Sequence, residues 1–237
     1  MRAINIAGRD WRERSKQAKY ALLPLASFEY HGPIAPVGTD AAIVQSLAER
    51  FADADDCLLY PQVIYTACPA KTRRQPTISI EPDVMLGYLL GIMRGIQNAG
   101  ITRLLVLNAH DGNMGIARAA AEAMEDGFQT LIVNWWQLIS DEKTMFSDGG
   151  RGHGGPFELS AAWASLGWTD MLGDPAYDLP SYKFPAPHVL VEASPKGFDG
   201  YAGRVSEASG AKGEDILNRA AEELRRVIAR WLAIEYG

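Results

Sequence analysis

Three of the four histidines in this chain fall in loop positions just after a strand-like run or just before a helical one, beside Gly or an acid. His31 lies in Ser27-Phe28-Glu29-Tyr30-His31-Gly32-Pro33, and His110 lies in Asn108-Ala109-His110-Asp111-Gly112-Asn113. His153 opens His153-Gly154-Gly155-Pro156-Phe157-Glu158. Imidazole and carboxylate donors without thiolate suit catalytic Zn, Mn or Fe(II), and not a closed structural zinc site. Glu29 and His31 are two residues apart, so on extended backbone both side chains leave the same face and can serve one metal cluster. Asp40, after the turn Pro36-Val37-Gly38-Thr39, offers a further carboxylate.

Each residue also has a plainer explanation. Asp40 opens a helical pattern and suits an N-cap. Glu158 follows Pro156, a good first helical residue, so it suits a dipole-stabilising acid. Glu29 reads equally as an exposed acid, His110 as a hydrogen-bonded residue in a tight turn, and His153 as part of a flexible glycine loop. The metal reading draws its weight from the ensemble, because several imidazole–carboxylate loops fall where strands end.

Those strand ends come from the hydrophobic pattern. Apolar runs at Ala21–Ala26, Leu58–Tyr65, Arg103–Leu107 and Thr130–Trp135 read as strands. Helical periodicity covers Asp40–Phe51, Glu81–Ala99, Asn113–Glu125 and Glu214–Ala233, with Met85, Leu89, Ile92, Met93 and Ile96 on one face of the second. Strands bare of polar residues that alternate with helices predict a three-layer α/β/α fold around a mostly parallel sheet. In such sheets, sites gather beyond the carboxyl ends of the strands. The Gly-, Pro- and Ser-rich stretch Asp170–Gly213 reads as long loops with short strands.

The 237 residues suit one domain spanning 1–237. A net charge of −6 without a basic run argues against nucleic acid and for a small-molecule or peptide substrate. Cys57 and Cys68 have neither disulfide density nor zinc-knuckle spacing and read as small core residues. No signal-like segment and no membrane-spanning apolar run is visible, so the expectation is a cytoplasmic protein that does not engage a membrane.

These motifs, taken in order, resemble the creatininase family. Ser27-Phe28-Glu29-Tyr30-His31-Gly32-Pro33 followed by Gly38-Thr39-Asp40 is similar to its S-x-E-x-H-G-P…G-T-D signature. Asn108–Asn113 resembles its N-G-H-G-G-N turn, Pro76–Ile80 its G-T-I-S-L stretch, and His153–Ser160 its H-x-G-x-x-E-T-S segment. Gly200-Tyr201-Ala202-Gly203, then Ala208-Ser209 and Lys212-Gly213, looks like its C-terminal pattern. The resemblance implies a divalent-metal-dependent hydrolase with two ions (Zn, Mn or Fe) and Asp40 as the bridge. Glu29 and His110 would hold one ion, and His31 with another acid the second. In the family's namesake that acid lies two residues after the histidine matching His110, a position occupied here by Gly112. Glu158 is the candidate replacement, with Asp111 behind it.

The same resemblance implies hydroxide attack on an amide-like or ketone carbonyl, with His153 carrying a proton to the leaving group. Trp136 falls where the namesake has a tryptophan near substrate, while a second such tryptophan corresponds to Gly149. Lys71 replaces a common histidine, and Arg73 and Arg74 follow it. Paired guanidiniums suit an anionic or oxygen-rich substrate, with a solvated loop as the plain alternative. The family covers cyclic amides, formamides and, by ring opening, cyclic polyol ketones; loss of the acid at Gly112 also admits a non-catalytic ligand-binding member. A homo-oligomer, a hexamer in the family's usual form, is implied as well.

Overall fold

The structure is a computed structural model that describes residues 1–52, 56–68, 74–141, 145–147, 150–181 and 198–234. Among these, the strands are β1 (Tyr20–Leu25), β2 (Cys57–Leu59), β3 (Arg103–Asn108) and β4 (Gln129–Asn134). All pair in parallel, in the order β2-β1-β3-β4. The helices are α1 (Trp11–Gln17), α2 (Thr39–Glu49), α3 (Pro82–Asn98), α4 (Met114–Glu122), α5 (Pro156–Ser165) and α6 (Gly210–Leu232).

Alternation along the strands divides the core into two layers. Tyr20, Leu22, Leu105 and Leu107 meet Ile43 and Leu47 of α2, Phe157 and Ala161 of α5, and Ile216 and Leu224 of α6. Ala21, Leu23, Leu25, Leu104 and Val106 face the other way, against Met85, Leu89, Met93 and Ile96 of α3 and Ala117 and Ala120 of α4. β1 is buried throughout because helices cover both its faces, which explains its lack of polar residues. The three-layer α/β/α expectation therefore holds. No helix among the described residues is long and apolar enough to cross a membrane.

Pro24 lies inside this central strand, a position that usually demands a backbone donor. It is tolerated because β2 leaves the ladder there. Tyr60 N–H reaches Leu22 O at 2.9 Å, and the next bond on that side is Val63 N–H to Pro24 O at 3.0 Å. The apolar run Leu58–Tyr65 is thus only partly a strand: beyond Leu59 it keeps one isolated bridge, Val63 to Leu25.

α6 begins at Gly210, four residues ahead of the predicted start at Glu214. Ser209 caps it by accepting Lys212 N–H at 3.2 Å. The glycines that read as loop are there for close helix packing, since a Cβ on Gly213 would lie 1.9 Å from Ser160 O of α5. Within the predicted loop region Asp170–Gly213, the described part holds turns at Pro175–Tyr177 and Val205–Glu207 and one bridge, Leu172 to Ser209.

The topology creates a crevice. β1 and β3 are neighbours, yet the chain leaves β1 toward α2 on one face and β3 toward α4 on the other. Connections that diverge in this way leave an opening outside the carboxyl ends of the two strands.

Candidate metal centre

The loops after β1 and β3 deliver Glu29, His31 and His110 to that crevice, and the first turns of α2 and α5 add Asp40 and Glu158. Glu29, His31, Asp40 and His110 are between 0 and 5 % exposed. Charged groups so buried need close counter-charges, because desolvation is costly.

Asp40 sits at the centre. Its Oδ1 lies 3.2 Å from His31 Nε2 and its Oδ2 lies 3.4 Å from His110 Nδ1. Ser27 Oγ donates to Oδ2 at 2.6 Å, holding the carboxylate in place. The capping explanation for Asp40 does not hold, since the residue before α2 is Gly38 and no side-chain cap is formed there. On the His110 side, Glu29 Oε2 is 3.0 Å from His110 Nδ1. On the His31 side, Glu158 Oε2 is 3.8 Å from His31 Nε2. Glu158 also accepts Gly154 N–H at 2.7 Å, so its helix-start role and its approach to the cluster coexist.

The three imidazoles share one arrangement. His31 Nδ1 lies 2.9 Å from Glu29 O, His110 Nε2 3.2 Å from Ala67 O, and His153 Nε2 2.9 Å from Tyr30 O. Each outer nitrogen donates its hydrogen to a backbone carbonyl, and each inner nitrogen faces a carboxylate, His153 Nδ1 at 3.9 Å from Glu29 Oε2. A metal-binding histidine is oriented in this way, with the outer N–H fixing both tautomer and ring plane.

The electrostatics call for positive charge. Burial opposes ionisation of Glu29, yet His110 and the other imidazoles outweigh it and hold its pKa down to about 2. Asp40 is likewise held well below the usual carboxylate range, against its burial, by His31 and His110. Burial disfavours charge on His31, but Asp40 and Glu158 raise its pKa to about 10. His110 is also raised, against its burial, chiefly by Glu29. Burial and the nearby His31 push His153 down to about 4. Burial, with Asp40 and Glu29 against the opposing pull of His31, raises Glu158 to about 7. Meanwhile Glu29 Oε1 and Asp40 Oδ1 are buried with no hydrogen-bond donor. Orphaned acceptors in a carboxylate-rich pocket fit divalent cations. The donor atoms of Glu29, His31 and His153, and those of His31, Asp40 and Glu158, lie within 4.8 Å of one another in each group.

The remaining predicted residues lie elsewhere. Asp111 is exposed, so Glu158 and not Asp111 approaches His31. Trp136 packs against the α2/α5/α6 core, with its carbonyl accepting from Arg151. Arg74 pairs with Asp199 at 2.7 Å and donates to Phe198 O at 3.0 Å. Lys71, Arg73 and Gly149 are outside the described residues. Gly112 is explained sterically: a Cβ there would stand 2.5 Å from His110 Nε2 and 3.0 Å from Ala67 O, in the way of their hydrogen bond.

The sequence reading missed an asparagine network. Asn108 donates to His110 O at 2.8 Å and to Asn134 Oδ1 at 2.9 Å, and accepts from His110 N at 3.1 Å and Asn113 Nδ2 at 3.1 Å. Asn113 Nδ2 also reaches Ala26 O at 3.0 Å, tying the His110 turn to the end of β1. Asparagines at the carboxyl ends of two strands, directly after apolar runs at Asn108 and Asn134, are the signal that could have found it.

The comparisons agree with this geometry. The family described as creatinine amidohydrolase (Creatininase) matches residues 5–228. The 3-dehydro-scyllo-inosose hydrolase of Thermotoga maritima is 29% identical over 196 residues, which are 79% of this chain and 58% of that longer protein. The creatinine amidohydrolase of Pseudomonas putida is 25% identical over 221 residues, 83% of each chain. A crystal structure of creatinine amidohydrolase aligns with a TM-score of 0.79 at 21% identity, covering 99% of this chain and 98% of that one. A manganese form (TM-score 0.78) and a zinc–zinc mutant form (0.77) of creatininase share the fold at 20% identity. The match runs through both strands that carry the cluster, and the chain belongs to the creatininase family.

Proposed function

We propose that this chain is a divalent-metal-dependent hydrolase with a paired-ion centre. Glu29, Asp40 Oδ2 and His110 would hold one ion, and His31, Asp40 Oδ1 and Glu158 the other. The observation that carries this reading is Asp40, whose two oxygens face different imidazoles across the crevice. Manganese and zinc forms of related structures support the choice of metals. Such ions supply Lewis acidity and ionise water near neutral pH.

The chain's own residues supply the rest. Tyr30 O holds the His153 ring with its hydrogen on Nε2, so Nδ1 faces the cluster as a proton acceptor. Burial raises the Glu158 pKa to about 7, so an ion on its side would compete with a proton for this carboxylate in the neutral range. The substrate would be a small molecule whose carbonyl is attacked by water. Hydrolysis of a C–N bond in a cyclic amide or formamide is the first reading, supported by membership of the creatininase family. Ring opening of a cyclic polyol ketone is a second reading, supported by the 29% match to the inosose hydrolase. Homo-oligomeric assembly belongs to the same proposal, supported by Val84 and Tyr88, apolar and exposed one turn apart on α3.

The test is metal analysis of the purified chain, followed by a hydrolysis screen of creatinine, formamides and inososes with added Mn or Zn. About two equivalents of metal with turnover of one class supports the proposal. No bound metal and no turnover favours the non-catalytic reading.

A further inference from the structure

Cys68 differs from the other cysteine in its surroundings. Cys57 sits in β2 within the apolar core, hydrogen-bonded to Tyr20. Cys68 is also buried, but its Sγ, one Glu29 carboxylate oxygen and one His110 ring nitrogen all lie within 4.8 Å of one another. The sulfur is within hydrogen-bonding reach of the His110 ring. Glu29, fully buried, has Oε1 without a hydrogen-bond donor in this same group.

The backbone around the sulfur is held on several sides. Thr66 Oγ1 donates to Ala26 O at 2.8 Å, at the end of β1. Ala67 O accepts from His110 Nε2, and Ala67 N–H points at Met85 Sδ of α3 at 3.3 Å. Cys68 N–H donates to Ser79 Oγ at 2.9 Å. The segment that carries the thiol is thus bound to the elements that carry the metal donors, and a pinned donor needs little reorganisation to ligate.

We propose that Cys68 is an additional ligand to the ion held by Glu29 and His110, so that this site offers sulfur while the His31/Glu158 site offers only nitrogen and oxygen. The inference rests on the metal-centre reading above. On ligation the thiol proton passes to solvent and a metal–sulfur bond forms, with no change of oxidation state. Thiolate is a soft donor that favours Zn or Co over Mn. The two sites then differ in metal preference, with the Cys68 side discriminating against Mn more strongly than the Glu158 side.

Cobalt(II) tests this directly. The full chain loaded with Co(II) should show visible ligand-field absorption together with an intense near-ultraviolet sulfur-to-cobalt charge-transfer band. Cys68→Ser should lose that band and keep the visible absorption, and its preference for Zn over Mn in competition dialysis should fall about tenfold or more. Co(II) bound to the wild-type chain without the charge-transfer band overturns the role of Cys68 and leaves the metal centre standing. A band that survives in Cys68→Ser also overturns it, by assigning the sulfur elsewhere. Absence of any Co(II) binding overturns both. The wild-type spectrum decides the matter even if the variant fails to fold, and Cys68→Ala serves as a second variant.

Discussion

Replacing Glu158 by Gln separates the two proposed ion positions. Glu158 Oε2 stands 2.7 Å from Gly154 N and 3.8 Å from His31 Nε2. A glutamine oxygen can keep the Gly154 bond, so the start of α5 stays satisfied and only the charge is removed. The stability change should then stay below about 1 kcal/mol, the scale of an acid at a helix N-terminus. The metal effect is larger, because the ion beside His31 loses one of three protein donors and a full negative charge. A loss of about 100-fold in affinity at that site, or about 2.8 kcal/mol, is expected. The other ion should be retained, since Glu29, His110 and Asp40 Oδ2 lie on the far side of Asp40. Dialysed Glu158→Gln should hold about one equivalent of metal where the parent holds about two, and calorimetric titration should lose one of two binding events. Asp40→Asn should lose both. Two equivalents retained at parental affinity would remove Glu158 from the centre. Loss of both ions in Glu158→Gln would show that the positions are not separable as drawn.

Three further outcomes follow from the same geometry. Asn108→Ala strips two contacts from the His110 backbone and leaves Asn113 and Asn134 short of partners. Denaturant unfolding should show a loss of about 2–3 kcal/mol, and metal titration should show the His110-side ion weakened about 10–100-fold. His153→Gln can keep the donation to Tyr30 O while removing the inner nitrogen. It should retain both ions and lower kcat about 10²–10⁴-fold, and metal loss in its place would recast His153 as a ligand. Cys57 tests the core: burial raises its pKa from 9.0 to about 11, so the folded state holds a proton that the unfolded chain releases. Its contribution is whole below pH 9 and falls by about 1.4 kcal/mol per pH unit between 9 and 11. Thermal melts should show that decline, and Cys57→Ala should flatten it.

How much of this was legible in the sequence depended on the reach of each signal. β1 and β3 announce themselves because both faces are covered, leaving Leu, Val and Ala with no room for polar residues. The apolar run Leu58–Tyr65 overstates β2, because it cannot show that Pro61 and Gln62 swing out of the ladder beside Pro24. The start of α6 was missed because glycine signals a turn in isolation, whereas Gly213 is demanded by the approach of Ser160, a contact across about fifty residues. Asn108 gives no local sign of its bonds to His110, Asn113 and Asn134, which join one loop to two strands.

From sequence alone came the residue types, their places at strand ends, and so the kind of chemistry, because local periodicity and short motifs record what a few neighbouring residues need. Only the tertiary structure decided which acid comes close to His31. Glu158, Asp40 and His31 meet through folding of distant segments, while Asp111, next to His110 in the chain, turns outward. Proximity along the backbone did not select the partner; the divergence of the chain after β1 and β3 did, by opening one crevice into which all these side chains point.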